Sequence, residues 1–219
     1  MKKILLGLFI FCSSAGFAQL NSLGKSDPDA KVILDNVSAK FKTYKTVSAN
    51  FTLSVADASG KIEGVKKGSV YMKGSKYRVS VSGQEIYSDG DNIWTYDKSA
   101  NEVQITKFDP TLNTITPQKM FTNFYDKDFL YKLNGESRKG SKTIQEIELT
   151  PVDKTKAFFK VLLDIDKSSK NIISTKVFEK NGNRYTYTIV SMKTNANLPD
   201  SLFVFNEKEY PKVEVVDLR

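Results

Sequence analysis

The sequence contains no histidine, and its one cysteine is Cys12. Histidine is the commonest general base and the commonest metal ligand in proteins, so its absence excludes the usual histidine-dependent catalytic and metal sites. Without a cysteine beyond residue 12, thiolate catalysis and zinc–thiolate sites are excluded as well. An enzyme could still use a carboxylate pair or a Ser-Lys arrangement, and any metal site would consist of carboxylates.

Long hydrophobic runs are also scarce. The longest, residues 4–12, follows a short basic start and is followed by small residues up to Ala18. A run of about nine residues is too short for a transmembrane helix, which needs roughly 20 apolar residues. The pattern is instead typical of a secretory signal peptide. We therefore expect cleavage of residues 1–18, export of the chain, and a single domain over residues 19–219.

Cys12 raises the alternative that the chain is a lipid-modified protein. A lipoprotein signal requires a small residue immediately before the modified cysteine, and here that residue is Phe11. The sequence therefore favours ordinary cleavage after Ala18 over lipidation. Cleavage there would leave a mature chain without cysteine and so without a disulfide.

The net charge of +8 is spread along the chain. Basic and acidic residues are interleaved, as in residues 61–67 (KIEGVKK), whereas a nucleic-acid-binding protein collects its basic residues on one face or tail. We expect no nucleic-acid partner; a weak attraction to an anionic membrane surface is the alternative use of the charge. No Gly-x-Gly-x-x-Gly or Walker pattern is present, so no nucleotide cofactor is expected.

One amphipathic helix is predicted near the start of the mature chain. Asp27 is a suitable N-cap and Pro28 suits the first helical position. Apolar residues then recur at spacings of three and four on one side only: Ala30, Ile33, Leu34, Val37, Phe41 and Tyr44. A helix with a single apolar side is expected to pack against another layer of the fold.

Most of the remaining chain alternates between apolar and polar residues. Residues 47–55 are apolar at every odd position, which is typical of a strand with one buried face. Similar patterns predict strands at residues 68–73, 76–82, 85–88, 92–97, 102–108, 129–135, 143–150, 159–166, 172–179, 184–192, 201–205 and 213–216. Because strands twist, a sheet of this many strands must curl or close, and the sequence therefore predicts a mainly β fold with a concave apolar face.

Two features could carry a function. Thr116-Pro117 predicts a short helix on which Met120, Phe121 and Phe124 share one side, either as a cap on the core or as a lid over a cavity. Asp164 and Asp166 lie on the same face of a predicted strand, which is the arrangement of a paired-carboxylate enzyme.

The two acids are not expected to act in catalysis. They alternate with apolar Leu163 and Ile165, so we expect both to face water. No Gly-x-Ser-x-Gly elbow is present either. The chain is therefore not expected to be an enzyme, although an enzyme acting on envelope glycolipid or peptide through these acids is one of the open hypotheses.

Several segments resemble, in order, the periplasmic outer-membrane lipoprotein carrier family, LolA and its relatives. They are residues 47–52 (VSANFT), 68–73 (GSVYMK), 76–79 (KYRV), 89–90 (DG), 93–97 (IWTYD), 116–117 (TP) and 200–205 (DSLFVF). The resemblance covers essentially the whole mature chain. One departure is Lys73-Gly74, where the family usually has Arg-Pro between the second and third strands.

The resemblance implies an incomplete β-barrel, formed by a strongly curved antiparallel sheet and covered by an α-helical lid, with a cavity for acyl chains. It also implies a soluble, monomeric periplasmic carrier without a cofactor or metal. Such a carrier takes acylated lipoproteins from an inner-membrane lipoprotein-releasing ABC transporter to an outer-membrane acceptor. The alternative is a binding module of the same fold that senses lipid or lipoprotein without transport.

The resemblance and the alternation together suggest which residues bind the ligand. The expected cavity and lid residues are Ile33, Val37, Ala49, Phe51, Leu53, Val55, Val70, Met72, Tyr77, Val79, Trp94, Met120, Phe121 and Phe124. The sequence leaves open which face of its strand Trp94 occupies. Lys73 is the expected residue for cargo hand-off, since the family's arginine at this place is linked to hand-off or lid closure; lysine keeps the charge but not the bidentate geometry.

Overall fold

The computed structural model describes residues 24–109 and 125–219. Its first element is helix α1 (Pro28–Lys42), which begins where the sequence predicts. The Asp27 side chain accepts a hydrogen bond from the Asp29 N–H at 2.9 Å, and a second from the Leu133 N–H at 3.1 Å. The N-cap therefore both starts the helix and fixes it to the sheet. The predicted signal peptide and the predicted helix with Met120, Phe121 and Phe124 lie outside the described residues.

Twelve strands form one sheet. They are β1 (Thr46–Ala56), β2 (Ile62–Lys73), β3 (Lys76–Val81), β4 (Gln84–Ser88), β5 (Asn92–Asp97), β6 (Glu102–Lys107), β7 (Phe129–Lys139), β8 (Lys142–Pro151), β9 (Phe158–Asp166), β10 (Asn171–Glu179), β11 (Arg184–Thr194) and β12 (Glu214–Asp217). A single helical turn, α2 (Tyr125–Asp128), precedes β7.

The strand order is β12-β6-β5-β4-β3-β2-β1-β11-β10-β9-β8-β7. Neighbouring strands are antiparallel except β12, which pairs in parallel with β6. Strands β7 and β12 are the two edges and do not pair with each other, so the curved sheet is open. The predicted fold class, mainly β with a curved, incomplete barrel and few helices, is confirmed.

We call the face of the sheet on which α1 packs the inner face. Ala30, Leu34 and Val37 of α1 are buried there against apolar residues of β7 to β10. A second inner cluster lies on β1, β2 and β3 and comprises Val47, Ala49, Phe51, Leu53, Val70, Met72 and Tyr77, with residues of β11 at its border. The inner face thus has a part filled by α1 and a part filled mainly by strand side chains.

The outer face of β4, β5 and β6 carries a third cluster. It consists of Tyr87, Trp94, Tyr96, Val103, Ile105 and Phe205. The chain after β11, residues 195–213, runs across this face and supplies Phe205 and Tyr210, whose rings stack at 4.5 Å. We call residues 195–213 the C-terminal strap.

The prediction of a strand over residues 201–205 is wrong. Asp200–Phe203 forms a short 3-10 helix that follows the extended Pro199. Phe203 is nonetheless fully buried and Phe205 is 5% exposed. The alternation of apolar residues at 201–205 therefore reflects burial of the strap against the outer face, not hydrogen-bonded pairing within the sheet.

Candidate functional site

An apolar cavity lies on the inner face between α1 and the centre of the sheet. The space in it that is accessible to a water molecule is about 20 Å³. It is lined by Val37, Phe41, Val47, Ala49, Val70, Met72, Lys170, Asn171, Ile172, Ile189 and Met192. A volume of about 20 Å³ is close to that needed by one water molecule, so the cavity is nearly closed in this state.

The alternation of β1 places Ala49 at the centre of this site. Ala49 pairs with Val70 on β2 and with Met192 on β11, so these three side chains form a row across three strands. The small alanine leaves space that a larger residue would fill. Met72 and Met192 border it, and methionine side chains adapt readily to differently shaped apolar partners. The site is therefore a place where an apolar ligand could separate the packed side chains.

The structure brings most of the predicted site residues together. Ala49, Phe51, Leu53, Val70, Met72 and Tyr77 form the second inner cluster, with Val55 and Val79 partly buried beside them. Val37 lines the cavity from α1, and Ile33 packs against the helix-covered part of the core. That these residues bind a ligand stays a prediction.

Sequence reasoning missed the contribution of β11. Tyr185, Tyr187, Ile189 and Met192 border the second inner cluster. Tyr185, Tyr187 and Ile189 alternate regularly along β11. An irregularity in the pairing of β1 with β11 then interrupts the alternation, so the next residue of β11 at the cluster is Met192, three positions after Ile189. The pairing of β11 with β1, far apart in the chain, has no local signal in the sequence.

A second groove runs along the exposed edge of α1. It encloses about 280 Å³ and is lined by Val32, Ile33, Asn36, Val37, Gln145, Ile165, Lys167 and Lys170. Val37 and Lys170 border both this groove and the cavity. The Lys170 ammonium lies 3.5 Å from the Asn36 side-chain oxygen, at the point where the two meet.

Trp94 does not join the cavity. Its neighbour Thr95 pairs with Ile86, which pairs with Val79 on the inner face, so Trp94 points to the outer face. There it belongs to the cluster under the C-terminal strap. The structure thus answers the question that the sequence left open, and Trp94 is not a lining residue of the cavity.

Lys73 is bound to the C-terminal strap. Its ammonium lies 2.8 Å from the Asp200 carboxylate and donates to the Leu198 carbonyl at 2.9 Å. Hydrogen bonds from Lys73 and Lys76 lower the pKa of the Asp200 carboxyl. Gly74 has φ of +58°, which proline cannot adopt. The turn between β2 and β3 therefore depends on glycine where the family usually has proline.

The prediction that Asp164 and Asp166 both face water is wrong for Asp166. Asp166 is 4% exposed, and its carboxylate accepts hydrogen bonds from the Ser168 and Ser169 N–H groups at 3.0 and 3.2 Å. Lys142 lies 3.1 Å away. In a regular strand, the residue after the buried Ile165 would point to the opposite face. Asp166 is buried as well because it is the last residue of β9 and its side chain caps the following turn.

The two acids have separate partners. Burial alone would raise the pKa of Asp166, but the Ser169 N–H, Lys142 and the Ser168 N–H lower it below its ordinary value. Asp164 pairs instead with Lys139 at 2.7 Å. A general acid needs a raised pKa, so Asp166 has the opposite of the required property. Within residues 24–109 and 125–219, no group of three or more Asp, Glu or Cys side chains is placed to hold a metal ion.

The described helices include none that is long and apolar enough to cross a membrane.

The sequence model of the family described as outer membrane lipoprotein carrier protein LolA matches residues 42–206. An outer-membrane lipoprotein carrier protein of Cupriavidus pinatubonensis is 28% identical over 169 residues, which cover 74% of this chain and 77% of that protein. Another, of Legionella pneumophila strain Lens, is 20% identical over 210 residues, 94% of this chain and 95% of that protein.

A solved structure shares the fold. An uncharacterized conserved protein from Thermus thermophilus superposes with a TM-score of 0.58 at 17% sequence identity. The match covers 86% of this chain and 99% of that one.

Proposed function

This chain belongs to the LolA family of outer membrane lipoprotein carrier proteins, and from that premise we propose that it is a soluble periplasmic carrier of lipoproteins. In this proposal it holds the acyl chains on the inner face, next to α1, and ferries its cargo from the inner to the outer membrane. Its partners would be an inner-membrane lipoprotein-releasing ABC transporter and an outer-membrane acceptor. It would act as a monomer and without catalysis.

The observation that carries the proposal is the apolar cavity around Ala49. Each methylene group kept from water is worth about 0.8 kcal/mol, so the acyl chains of one lipoprotein would cost tens of kcal/mol to expose. A carrier must cover that surface and later release it. A nearly closed cavity bordered by Met72 and Met192 suits this requirement, because such side chains can repack around a chain and close again.

The closed state also sets a condition for uptake. A cavity of about 20 Å³ has no room for an acyl chain, so binding requires α1 and the strand side chains to separate. The N-terminal end of α1 is held by backbone bonding of Asp27 to Tyr131, whereas Phe41 near its other end lines the cavity and is only partly buried. We propose that cargo enters at the Phe41 end of the helix.

A filling substitution tests the site. Ala49→Leu adds three carbon atoms to the cavity, and we expect it to weaken binding of a fluorescent fatty-acyl probe about tenfold. Ser48→Leu adds a similar volume on the opposite face of the same strand and is the matched control; it should bind as the unmodified protein does. Equal affinity of both variants, each folded by circular dichroism, would place the ligand elsewhere.

The chemical nature of the bound material distinguishes a transport function from a sensing function. Mass spectrometry of material that co-purifies from the periplasm should find acylated polypeptides for a carrier. Free lipid alone would favour the alternative, a lipid- or lipoprotein-sensing module of the same fold. Transfer of an acylated peptide from the loaded protein to acceptor-containing vesicles then measures hand-off directly, and this is the step in which we propose a role for Lys73.

A further inference from the structure

Three cationic side chains surround one phenyl ring on the outer face of the sheet. Phe178 on β10 pairs with Arg184 on β11 and with Lys160 on β9. The Lys160 and Lys176 ammonium groups lie 4.6 and 5.2 Å from the centre of its ring, and the Arg184 guanidinium lies 5.7 Å from it. Phe159, which is 50% exposed, extends the apolar surface, with its ring centre 6.2 Å from that of Phe178. We call these five residues the outer patch.

Among the described residues no acid balances the three cations of the outer patch, and the Arg184 guanidinium donates instead to the Ala58 carbonyl at 2.6 Å. In the part of the chain that the structure describes, none of them lies within 4.0 Å of a carboxylate. By contrast, Lys139 on β7 is paired with an acid at 2.7 Å, and Lys167 in the turn after β9 is paired with one at 2.8 Å. Like charges on neighbouring strands repel one another, so gathering three of them costs stability. An anionic partner would offset that cost.

The surroundings of the outer patch are apolar and exposed. Ala56 pairs with both Arg184 and Ile62, and Ile62 is 61% exposed. One row further along β2, Val65 is 60% exposed on the same face. Exposed aliphatic and aromatic side chains among lysine and arginine are typical of a surface that rests on lipid headgroups, where the apolar tips enter the interface and the cations contact phosphate.

We propose that the outer patch docks this protein on an anionic phospholipid surface. The pattern fits a membrane better than a small anion, because the patch is a broad strand face and includes apolar side chains that no free phosphate would contact. The docking face is opposite the inner face, so a docked molecule keeps its acyl-binding site free to exchange cargo. The proposal is independent of the cavity and of what fills it.

Vesicle co-sedimentation tests the proposal. The full mature protein should bind vesicles of phosphatidylglycerol and phosphatidylcholine in equal parts, and should not bind phosphatidylcholine alone. Each basic residue near an anionic surface contributes about fivefold in affinity, so Lys160→Gln with Lys176→Gln should weaken binding about 25-fold. Phe159→Ser should weaken binding with little change in its salt dependence, because it removes apolar contact and no charge.

The control is Lys45→Gln with Lys208→Gln, which removes the same charge from exposed positions away from the outer patch. It should change vesicle binding less than twofold. Equal losses in the two double variants would show a general charge effect and overturn the proposal, as would binding that glycerol phosphate displaces at constant ionic strength. The fatty-acyl probe should bind all variants equally, so loss of docking and loss of the proposed carrier function are measured separately.

Discussion

The ring of Phe51 on β1 lies over Gly68, its register partner on β2. A Cβ atom at position 68 would be 2.7 Å from the Phe51 Cε2 and 2.9 Å from the Ser80 carbonyl oxygen. The first contact could be relieved if the ring moved, but the second involves backbone. Glycine at this position therefore leaves room for the Phe51 ring on the inner face.

We expect Gly68→Ala to lower the free energy of unfolding by about 1–3 kcal/mol, the usual cost of overpacking. In the Phe51→Ala background the cost should be smaller, though not zero because of Ser80. Gly64→Ala on the same strand is the control, since nothing lies within 4 Å of a Cβ there. Urea unfolding of the four variants measures these differences. A cost for Gly68→Ala that does not depend on Phe51 would contradict the packing explanation.

The pair Lys73 and Asp200 gives a second prediction. Their side chains are 39% and 61% exposed, so solvent screens the ion pair and it stabilises the fold only weakly, and less at high salt. Lys73→Met and Asp200→Asn should therefore cause similar small losses in stability. Only Lys73→Met removes the cation proposed for hand-off, so it alone should slow transfer of an acylated peptide to acceptor vesicles. Equal slowing by both variants would indicate that attachment of the strap, not the lysine, controls transfer.

How much the sequence predicts depends on how local the signal is. The start of α1 at Asp27-Pro28 and the buried positions of β1 follow from capping and alternation within a few residues. The position of Trp94 does not, because alternation fixes which residues share a face but not which face is covered by α1. The outer face of β4 to β6 is covered by the strap, and these strands carry their large apolar side chains on that face: Tyr87, Trp94, Tyr96, Val103 and Ile105.

The candidate site shows the same limit. Ala49, Val70 and Met72 could be named from alternation and the family resemblance. Ile189 and Met192 could not, since they reach the cavity through the pairing of β11 with β1 across most of the chain. Burial of Asp166 was missed for another reason: its hydrogen bonds to Ser168 and Ser169 belong to the turn after β9, which the strand pattern does not describe.

The acids of β9 give a third prediction. Asp166→Asn should lower the free energy of unfolding by about 1–2 kcal/mol, because it weakens two backbone hydrogen bonds and leaves Lys142 without its partner. Asp164→Asn removes only the contact with the exposed Lys139 and should change stability by about 0.5 kcal/mol or less. Neither should change acyl-probe affinity. Loss of a function by both variants with stability intact would restore the paired-carboxylate hypothesis.

Glu85 is the acid with the most partners in the described part of the chain. Its side chain is 7% exposed on the outer face and lies 2.6 Å from the Lys98 ammonium and 2.8 Å from the Arg78 guanidinium. The Tyr87 hydroxyl donates to it, and the Tyr210 hydroxyl of the strap lies 3.4 Å away. The carboxylate thus joins β3, β4 and the strap.

Stability should therefore depend on the charge of Glu85. Burial opposes ionisation, but hydrogen bonds from Lys98, Tyr87 and Arg78 outweigh it and lower the pKa from 4.5 to about 2. A group with a lowered pKa stabilises the fold above its unfolded value and loses that contribution as the pH falls. We expect Glu85 to contribute fully above about pH 5 and to lose up to about 3 kcal/mol between pH 4.5 and pH 2.

The measurement is urea unfolding between neutral pH and pH 2 for the unmodified protein, Glu85→Gln and Glu214→Gln. Glu85→Gln should be less stable at neutral pH, because it leaves two cations without a buried partner, and its stability should fall less steeply in acid. Glu214, exposed on β12, is the matched control and its variant should follow the unmodified protein. If Glu85→Gln lost stability in acid as steeply as the unmodified protein, the ionised carboxylate would not be what holds the strap against the outer face.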